Sequence, residues 1–177
     1  MSTFKTAAVV ASLALSGPVR GADSPHLGQL TAARDLAGWD ISIGPDGAGL
    51  PPGRGTANDG EAIYVEKCAS CHGAKGEGQP NDRLVGGAGT LAGPGPAIKT
   101  VGSYWPYATT LFDYVRRAMP LAEPQSLTAN EVYAVSAYVL ALNGIVERTD
   151  VLDAKSLPMI KMPNRDNFFA VYPGALK

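Results

Sequence analysis

Cys68-Ala69-Ser70-Cys71-His72 is the stretch on which the reading of this 177-residue chain turns. The chain has two cysteines, and both are here. It has two histidines, and one of them, His72, follows the second cysteine directly. Three of the four residues of these two types therefore fall within five consecutive positions. The pattern is C-x-x-C-H, which is how a c-type haem is attached. Two thiols three positions apart reach the two vinyl groups on one edge of a haem, and the next residue brings its imidazole over the iron as proximal ligand. Other uses of these residues fit less well. A zinc site needs four nitrogen or sulfur ligands and would have to recruit the distant His26. A thioredoxin-like redox pair needs a β-α-β pattern around it, and none is visible. A disulfide this short closes almost no loop and stabilises little.

Working outward, the residues on either side read as a few helices separated by irregular chain. Thr56 to Lys67 precedes the motif and reads as a helix, with Thr56 as N-cap and Asp59 placed to complete a capping box. Gly60 and Tyr64 lie one turn apart on one face, where a glycine permits close approach of another helix. Residues 73 to 106 follow as a glycine-rich loop, with Gly86-Gly87-Ala88-Gly89 and Gly93-Pro94-Gly95-Pro96 as turn material. A loop of this length is unusual inside a compact domain, and a haem edge would organise it. Tyr107 to Ala118 reads as a second helix, with Leu111, Val115 and Ala118 at helical spacing, and Met119-Pro120 ends it. Thr128 then caps the strongest helix, with Glu131 completing Thr128-Ala129-Asn130-Glu131 as a capping box. Val132, Val135, Val139 and Leu142 form its apolar stripe, and Gly144 is its C-cap candidate. The expectation is an all-α fold of few helices around one covalent haem.

The iron needs a sixth ligand. His26 would give bis-histidine ligation, and a methionine would raise the reduction potential. Met119, Met159 and Met162 are the candidates. The reading favours Met119, because Pro120 fixes the backbone beside it and stops the helix; Met162 also precedes a proline, Pro163. The ordinary role of any of these methionines is core filler.

The ends of the chain carry different information. Residues 1 to 22 read as a secretory signal peptide, with Lys5 before an apolar run from Ala7 to Leu15 and small residues near Gly21-Ala22. The run is short of the ~20 residues a membrane span needs. The mature protein is expected outside the cytoplasm, in the periplasm, without a membrane span. Residues 23–55 read as an extended arm, since Gly44-Pro45-Asp46-Gly47-Ala48-Gly49-Leu50-Pro51-Pro52-Gly53-Arg54-Gly55 sustains neither helix nor central strand. Trp39, Ile41, Ile43 and Leu50 give that arm apolar side chains to bury, so it is expected to be ordered. Residues 56–146 then form the haem domain, and 147–177, with Pro158, Pro163 and Pro173, a second irregular extension.

Composition fits a packed globular protein. Hydrophobic residues make up 45% and charged ones 18%, enough for a core and against global disorder. The formal net charge of -1 excludes the basic excess expected of a nucleic-acid binder. No arrangement of acid, base and nucleophile points to an enzyme.

The chain resembles the class I cytochrome c family. The resemblance rests on Gly60-x-x-x-Tyr64, Cys68-Ala-Ser-Cys-His72, a loop, Met119-Pro120 and a terminal helix with Tyr133 and Tyr138, over residues 56 to 146. It implies that the first and last helices cross with the glycine and aromatics at their contact. A narrower resemblance covers most of the mature chain. Gly38-Trp-Asp-Ile41, Pro45-Asp-Gly-Ala-Gly-Leu-Pro-Pro-Gly53, Arg83-Leu-Val-Gly-Gly87, Thr100-Val-Gly-Ser-Tyr-Trp-Pro-Tyr-Ala-Thr-Thr110 and Lys161-Met-Pro-Asn-Arg165 are similar to the cytochrome subunits of periplasmic sulfite and sulfane dehydrogenases. Such subunits take electrons from a molybdenum-containing catalytic chain; this chain has one haem motif, whereas some relatives have two. The resemblance implies that Arg83, Trp105 and Tyr107 face the haem propionates, arginine forks matching carboxylates, or that they serve packing. It implies that Pro94 or Pro96 offers a carbonyl to the His72 ring N–H. It also gives the two flanks a role as docking or wrapping segments for the dehydrogenase.

Three functions follow as expectations: electron transfer through an exposed haem edge, ligand sensing or catalysis at an open sixth position, and free diffusion to an oxidase. The third would not need long flanks. In the first, the electron passes on to a downstream cytochrome or oxidase.

Overall fold

The computed structural model describes residue 28 and residues 30–169. The stretch 1–22 read as a leader, His26 and the outer ends of both extensions (23–27, 29 and 170–177) lie outside the described residues. The chain divides into two units, Met1–Ala37 and Gly38–Lys177. In the first, the described part holds one helical turn, α1 (Ala33–Leu36), which buries no residue.

The second unit carries the haem motif. In chain order its elements are β1 (Arg54–Gly55), α2 (Ala57–Lys67), α3 (Ala69–His72), a 3-10 turn at Thr90–Ala92, α4 (Ala108–Ala118), α5 (Ala129–Leu142), β2 (Leu152–Asp153) and a 3-10 turn at Leu157–Met159. The two short strands pair antiparallel, Arg54 opposite Asp153 and Gly55 opposite Leu152.

The helices start where local chemistry dictates. At both Thr56 and Thr128 the hydroxyl accepts from the N–H three residues on, and that residue's carboxylate accepts from the threonine N–H. Two of the helix's orphan donors are satisfied reciprocally at each site. Helix α2 then crosses α5. Gly60 and Gly55 both abut Ala134, and a Cβ at Gly60 would strike the Ala134 carbonyl. Only glycine lets the two backbones come that close.

Helix α5 departs from the sequence reading in one respect. Its stripe Val132, Val135, Val139 was to face a core, but every residue from Val132 to Leu140 is buried, while Leu142 is only half-buried. A helix covered on all sides needs no polar face. Here α2, α4 and the two flanks do the covering. Tyr133 meets Phe112 of α4 at 4.5 Å between ring centroids, and Tyr138 meets Tyr64 of α2 at 5.1 Å.

The flanks are part of this packing. The Tyr133 hydroxyl donates to the Pro51 carbonyl at 3.0 Å, Arg54 N–H to Asn130 Oδ1 at 2.9 Å, and Ile43 N–H to Asp113 Oδ1 at 3.0 Å. After the last helix, Leu152, Leu157 and Met162 are buried in the core. Residues 43–55 and 152–164 thus lie against the rest of their own domain. Ile43 and Leu50 pack on the core, whereas Trp39 is 84% exposed.

Candidate haem site

A cavity of about 760 Å³ opens among α2, α3, α4, α5 and the loop between α3 and α4, within the range of small-molecule and cofactor sites. Tyr64, Lys67, Cys68, Cys71 and His72 line it from α2 and α3; Leu111, Tyr114 and Val115 from α4; Val135 and Val139 from α5. Met119, Pro120, Leu121 and Leu127 line it from the segment joining α4 to α5. Pro80 to Leu84, Lys99, Thr100, Val101 and Trp105 complete it from the loop.

The backbone breaks at the motif. Cys68 is at once the C-cap of α2 and the N-cap of α3, with φ -125°, so the chain turns between the helices and both thiols reach the cavity. The buried Tyr64 hydroxyl donates to the Gly73 carbonyl at 2.9 Å, tying the residue after the motif back to α2. Burial, and then the neighbouring Cys71, push the Cys68 thiol up to about 11, so before haem attachment it is a protonated thiol at neutral pH.

His72 Nδ1 lies 2.7 Å from the carbonyl oxygen of Asp82. A carbonyl only accepts, so Nδ1 must carry the hydrogen and Nε2 is left with its lone pair free for a metal. The sequence reading gave this role to Pro94 or Pro96. Both prolines are exposed and neither lines the cavity. The short turn after His72 brings a nearer carbonyl into place: Gly78 N–H bonds the His72 carbonyl and Asn81 N–H bonds that of Cys71, which folds residues 78–82 back over the motif.

The methionine candidates separate cleanly. Met119 lines the cavity, Met162 is 1% exposed in the core away from it, and Met159 is 82% exposed. Arg83 and Trp105 line the cavity, with Arg83 Nε donating to the Glu77 carbonyl at 3.0 Å. Tyr107 does not line it. It is the residue before α4, its backbone bridges to Lys161, and its ring lies under the Arg165 guanidinium at 4.4 Å. The C-terminal flank occupies that side chain. Residues that the sequence reading passed over are Lys67 and Lys99, which add to Arg83 as cations on the cavity wall, and Tyr114, whose ring packs edge-on to Trp105 at 5.8 Å.

The loop has its own bracing. Thr100 Oγ1 donates to the Gly86 carbonyl at 2.6 Å, Ser103 Oγ to the Ile98 carbonyl at 2.7 Å, and Thr100 and Ser103 exchange backbone-to-side-chain bonds at 2.9 and 3.1 Å. Asn143 of the α5 terminus joins Leu84 and Gly86. Beside the haem edge that the sequence reading invokes, hydroxyls and one amide brace this segment.

The donor set fits a haem: two thiols, an imidazole with its coordinating nitrogen free, and a thioether, around a wall mainly of Leu, Val and aromatic side chains. Among the described residues no helix is long and apolar enough to cross a membrane.

A helical fold with these groups around one apolar cavity defines a c-type cytochrome, and the chain belongs to the class I cytochrome c family, an electron-transfer domain with a covalent haem c. The family described as cytochrome c oxidase, cbb3-type, subunit III matches residues 55–139. Among solved structures, the chain is similar to one in the sulfane dehydrogenase SoxCD from Paracoccus pantotrophus, with 40% identity and a TM-score of 0.77, over 82% of this chain and 71% of that one. It is also 26% identical over 130 residues to a thiosulfate dehydrogenase of Psychrobacter arcticus, covering 70% of this chain. The chain spans 39% of the length of that relative.

Proposed function

We propose that this chain is the electron-accepting cytochrome of a periplasmic dehydrogenase that oxidises a reduced sulfur compound, with a molybdenum-containing catalytic chain as partner and a further cytochrome or an oxidase as electron acceptor. Cys68 and Cys71 carry the haem through thioether bonds. His72 Nε2 and Met119 Sδ would ligate its iron, and Arg83 and Trp105, on the same cavity wall, would be the groups to meet its propionates. Residues 56–146 form the haem-bearing core. The observation that carries this reading is that His72, with Nε2 free, and Met119 line the same apolar cavity. Its sulfur-oxidising part is supported by the likeness to the sulfane dehydrogenase chain.

The haem supplies reversible one-electron chemistry at its iron. The chain's own residues set the conditions for it. The Asp82 carbonyl holds the His72 ring in one tautomer and orientation. Leu111, Val115, Leu127, Val135 and Val139 give the cavity an apolar wall. An apolar wall disfavours the more charged ferric state and so raises the potential. No proton needs to move, and no acid or base of the cavity is asked to move one.

The test uses the complex purified from its native host. Sulfite and thiosulfate are added anaerobically while the haem absorbance is followed. Reduction by either, with a molybdenum-containing chain co-purifying, is the expected result. A haem that stays oxidised with both and is reduced by dithionite would remove the sulfur substrate from this reading.

A further inference from the structure

Asn143 stands at the C-terminus of α5 and does not line the cavity, yet its side chain grips the cavity wall. Its Nδ2 donates to the Leu84 carbonyl at 3.2 Å and to the Val139 carbonyl at 2.9 Å, and its Oδ1 accepts from Gly86 N–H at 3.1 Å. The amide therefore meets an acceptor and a donor two residues apart on one strand of chain, as a neighbouring strand would. The flipped amide would set its oxygen against two carbonyls and its NH₂ against an N–H, so the orientation is fixed by the partners. A Cβ at Gly102 would strike this side chain, so the loop closes over it from the other face as well.

The gripped segment begins two residues after Asp82, whose carbonyl holds the His72 ring. On its other side, Leu84 N–H and Val85 N–H both bond the Gly76 carbonyl. Asn143 provides the bonds that tie this stretch to α5. We infer that Asn143 is a positioning residue for electron transfer: by clamping residues 84–86 it keeps the Asp82 carbonyl on His72 Nδ1, and so sets the haem potential from a site outside the cavity. This rests on the reading of His72 as an axial ligand.

The direction follows from ligand basicity. A ring N–H that donates to a carbonyl makes the imidazole a stronger donor to iron, which favours the ferric state. Without the Asn143 amide, Leu84 O and Gly86 N–H lose their partner, the segment relaxes and the Asp82 carbonyl withdraws. The ferric state loses support and the potential rises. Changes to such outer partners commonly cost 10- to 100-fold in metal affinity or activity. The expected effect is at the low end, about a tenfold shift in the ferric–ferrous equilibrium, which for one electron is ~59 mV.

The experiment uses the full haem-loaded chain and Asn143→Leu, which keeps the bulk and removes the hydrogen bonds, beside Asn143→Ala, which avoids crowding Gly102 should the leucine fail to fold. Two quantities are read: the midpoint potential, and the solvent-exchange rate of the His72 ring N–H in the ferrous protein by NMR. A raised potential with faster exchange in whichever variants fold supports the inference. A lowered melting temperature with both readouts at the parent value overturns it and leaves Asn143 as a helix cap. A parent spectrum without an iron-bound histidine overturns the ligand reading itself, and this inference with it.

Discussion

The cavity has walls of two kinds. One is helical: α2 and α3 bring the cysteines and His72, and α5 backs them. The other is loop: residues 80–105 bring the Asp82 carbonyl, Arg83 and Trp105. The helical wall is held by contact between backbones and rings, at Gly60 against Ala134 and at the Tyr64–Tyr138 and Phe112–Tyr133 pairs. The loop wall is held by side-chain hydrogen bonds from Thr100, Ser103 and Asn143. Packing tolerates almost no change of volume, whereas a hydrogen bond can be deleted singly at modest cost. The helical wall should therefore fail all at once, and the loop wall by degrees.

The largest effect is expected at the helix crossing. Gly60→Val places a branched side chain against the Ala134 backbone, where no flexible group can yield. No folded, haem-loaded protein should accumulate, as judged by yield of the covalent haem spectrum. A Gly60→Val protein with parental spectrum and melting temperature would break the contrast, for α5 would then be free to move away.

Met119→Ala comes next and tests the end of α4, where helix gives way to irregular chain. The reduced parent should resist carbon monoxide, and the variant should bind it rapidly because the sixth position is vacated. Met162→Leu is the control: Met162 is buried in the core, so the swap should cost under about 1.5 kcal/mol and leave resistance to carbon monoxide intact. Rapid binding by Met162→Leu, with Met119→Ala unaffected, would exchange the two assignments.

The two walls also differ in how far they could be read from the sequence. Cys68, Cys71 and His72 announce themselves, because chemistry fixes their spacing. Thr56 with Asp59 and Thr128 with Glu131 place the helix starts because each box closes within four residues. The Asp82 carbonyl and the bonds of Asn143 to Leu84 and Gly86 do not announce themselves. A backbone carbonyl has no sequence letter, and Asn143 and Leu84 are far apart along the chain. Beside Gly144, the asparagine reads as one more residue at a helix end. The flanks show the same limit. Leu152, Leu157 and Met162 are buried without periodicity, so nothing local marks them as core, and the resemblance that offered Tyr107 either the propionates or a packing role could not show its cover by Arg165, which is equally remote.

Thr100→Val measures the loop wall. The shape is kept and the hydroxyl lost, leaving the Gly86 carbonyl and Ser103 N–H without the partner they have now. Gly86 is exposed and water can replace its partner, but Ser103 is buried, and a buried group orphaned in this way costs about 1–3 kcal/mol. Chemical denaturation should show that loss while the haem spectrum stays parental, since Thr100 supplies no ligand. A lost spectrum would mean that the loop wall is as unyielding as the helical one.

The smallest effect is expected at the far end of α5, and it carries a pH signature. The Glu131 carboxylate accepts from the Thr128 N–H and hydroxyl, both at 2.8 Å, and Glu131 N–H donates to the Thr128 hydroxyl at 3.3 Å. The backbone bond from Thr128, and after it the hydroxyl bond, hold the Glu131 carboxyl below its ordinary value. A carboxyl lowered in the folded state binds its proton less readily there than in the unfolded chain. Its stabilising contribution is therefore complete above the unfolded value, near 4.3, and is lost as pH falls through the folded one. Thr128→Ala removes the hydroxyl and leaves the backbone bond, so it should cost about 1 kcal/mol at neutral pH and reduce, without abolishing, the fall in stability below pH ~4.3. Glu131→Gln keeps an acceptor but cannot titrate, so its acid limb should be flatter still. Both variants should keep the parental haem potential, because neither Thr128 nor Glu131 lines the cavity or bonds the clamped segment. A shifted potential in Thr128→Ala would mean that α5 moves as one rigid piece and that the distinction between packed and tethered walls stops at its surface.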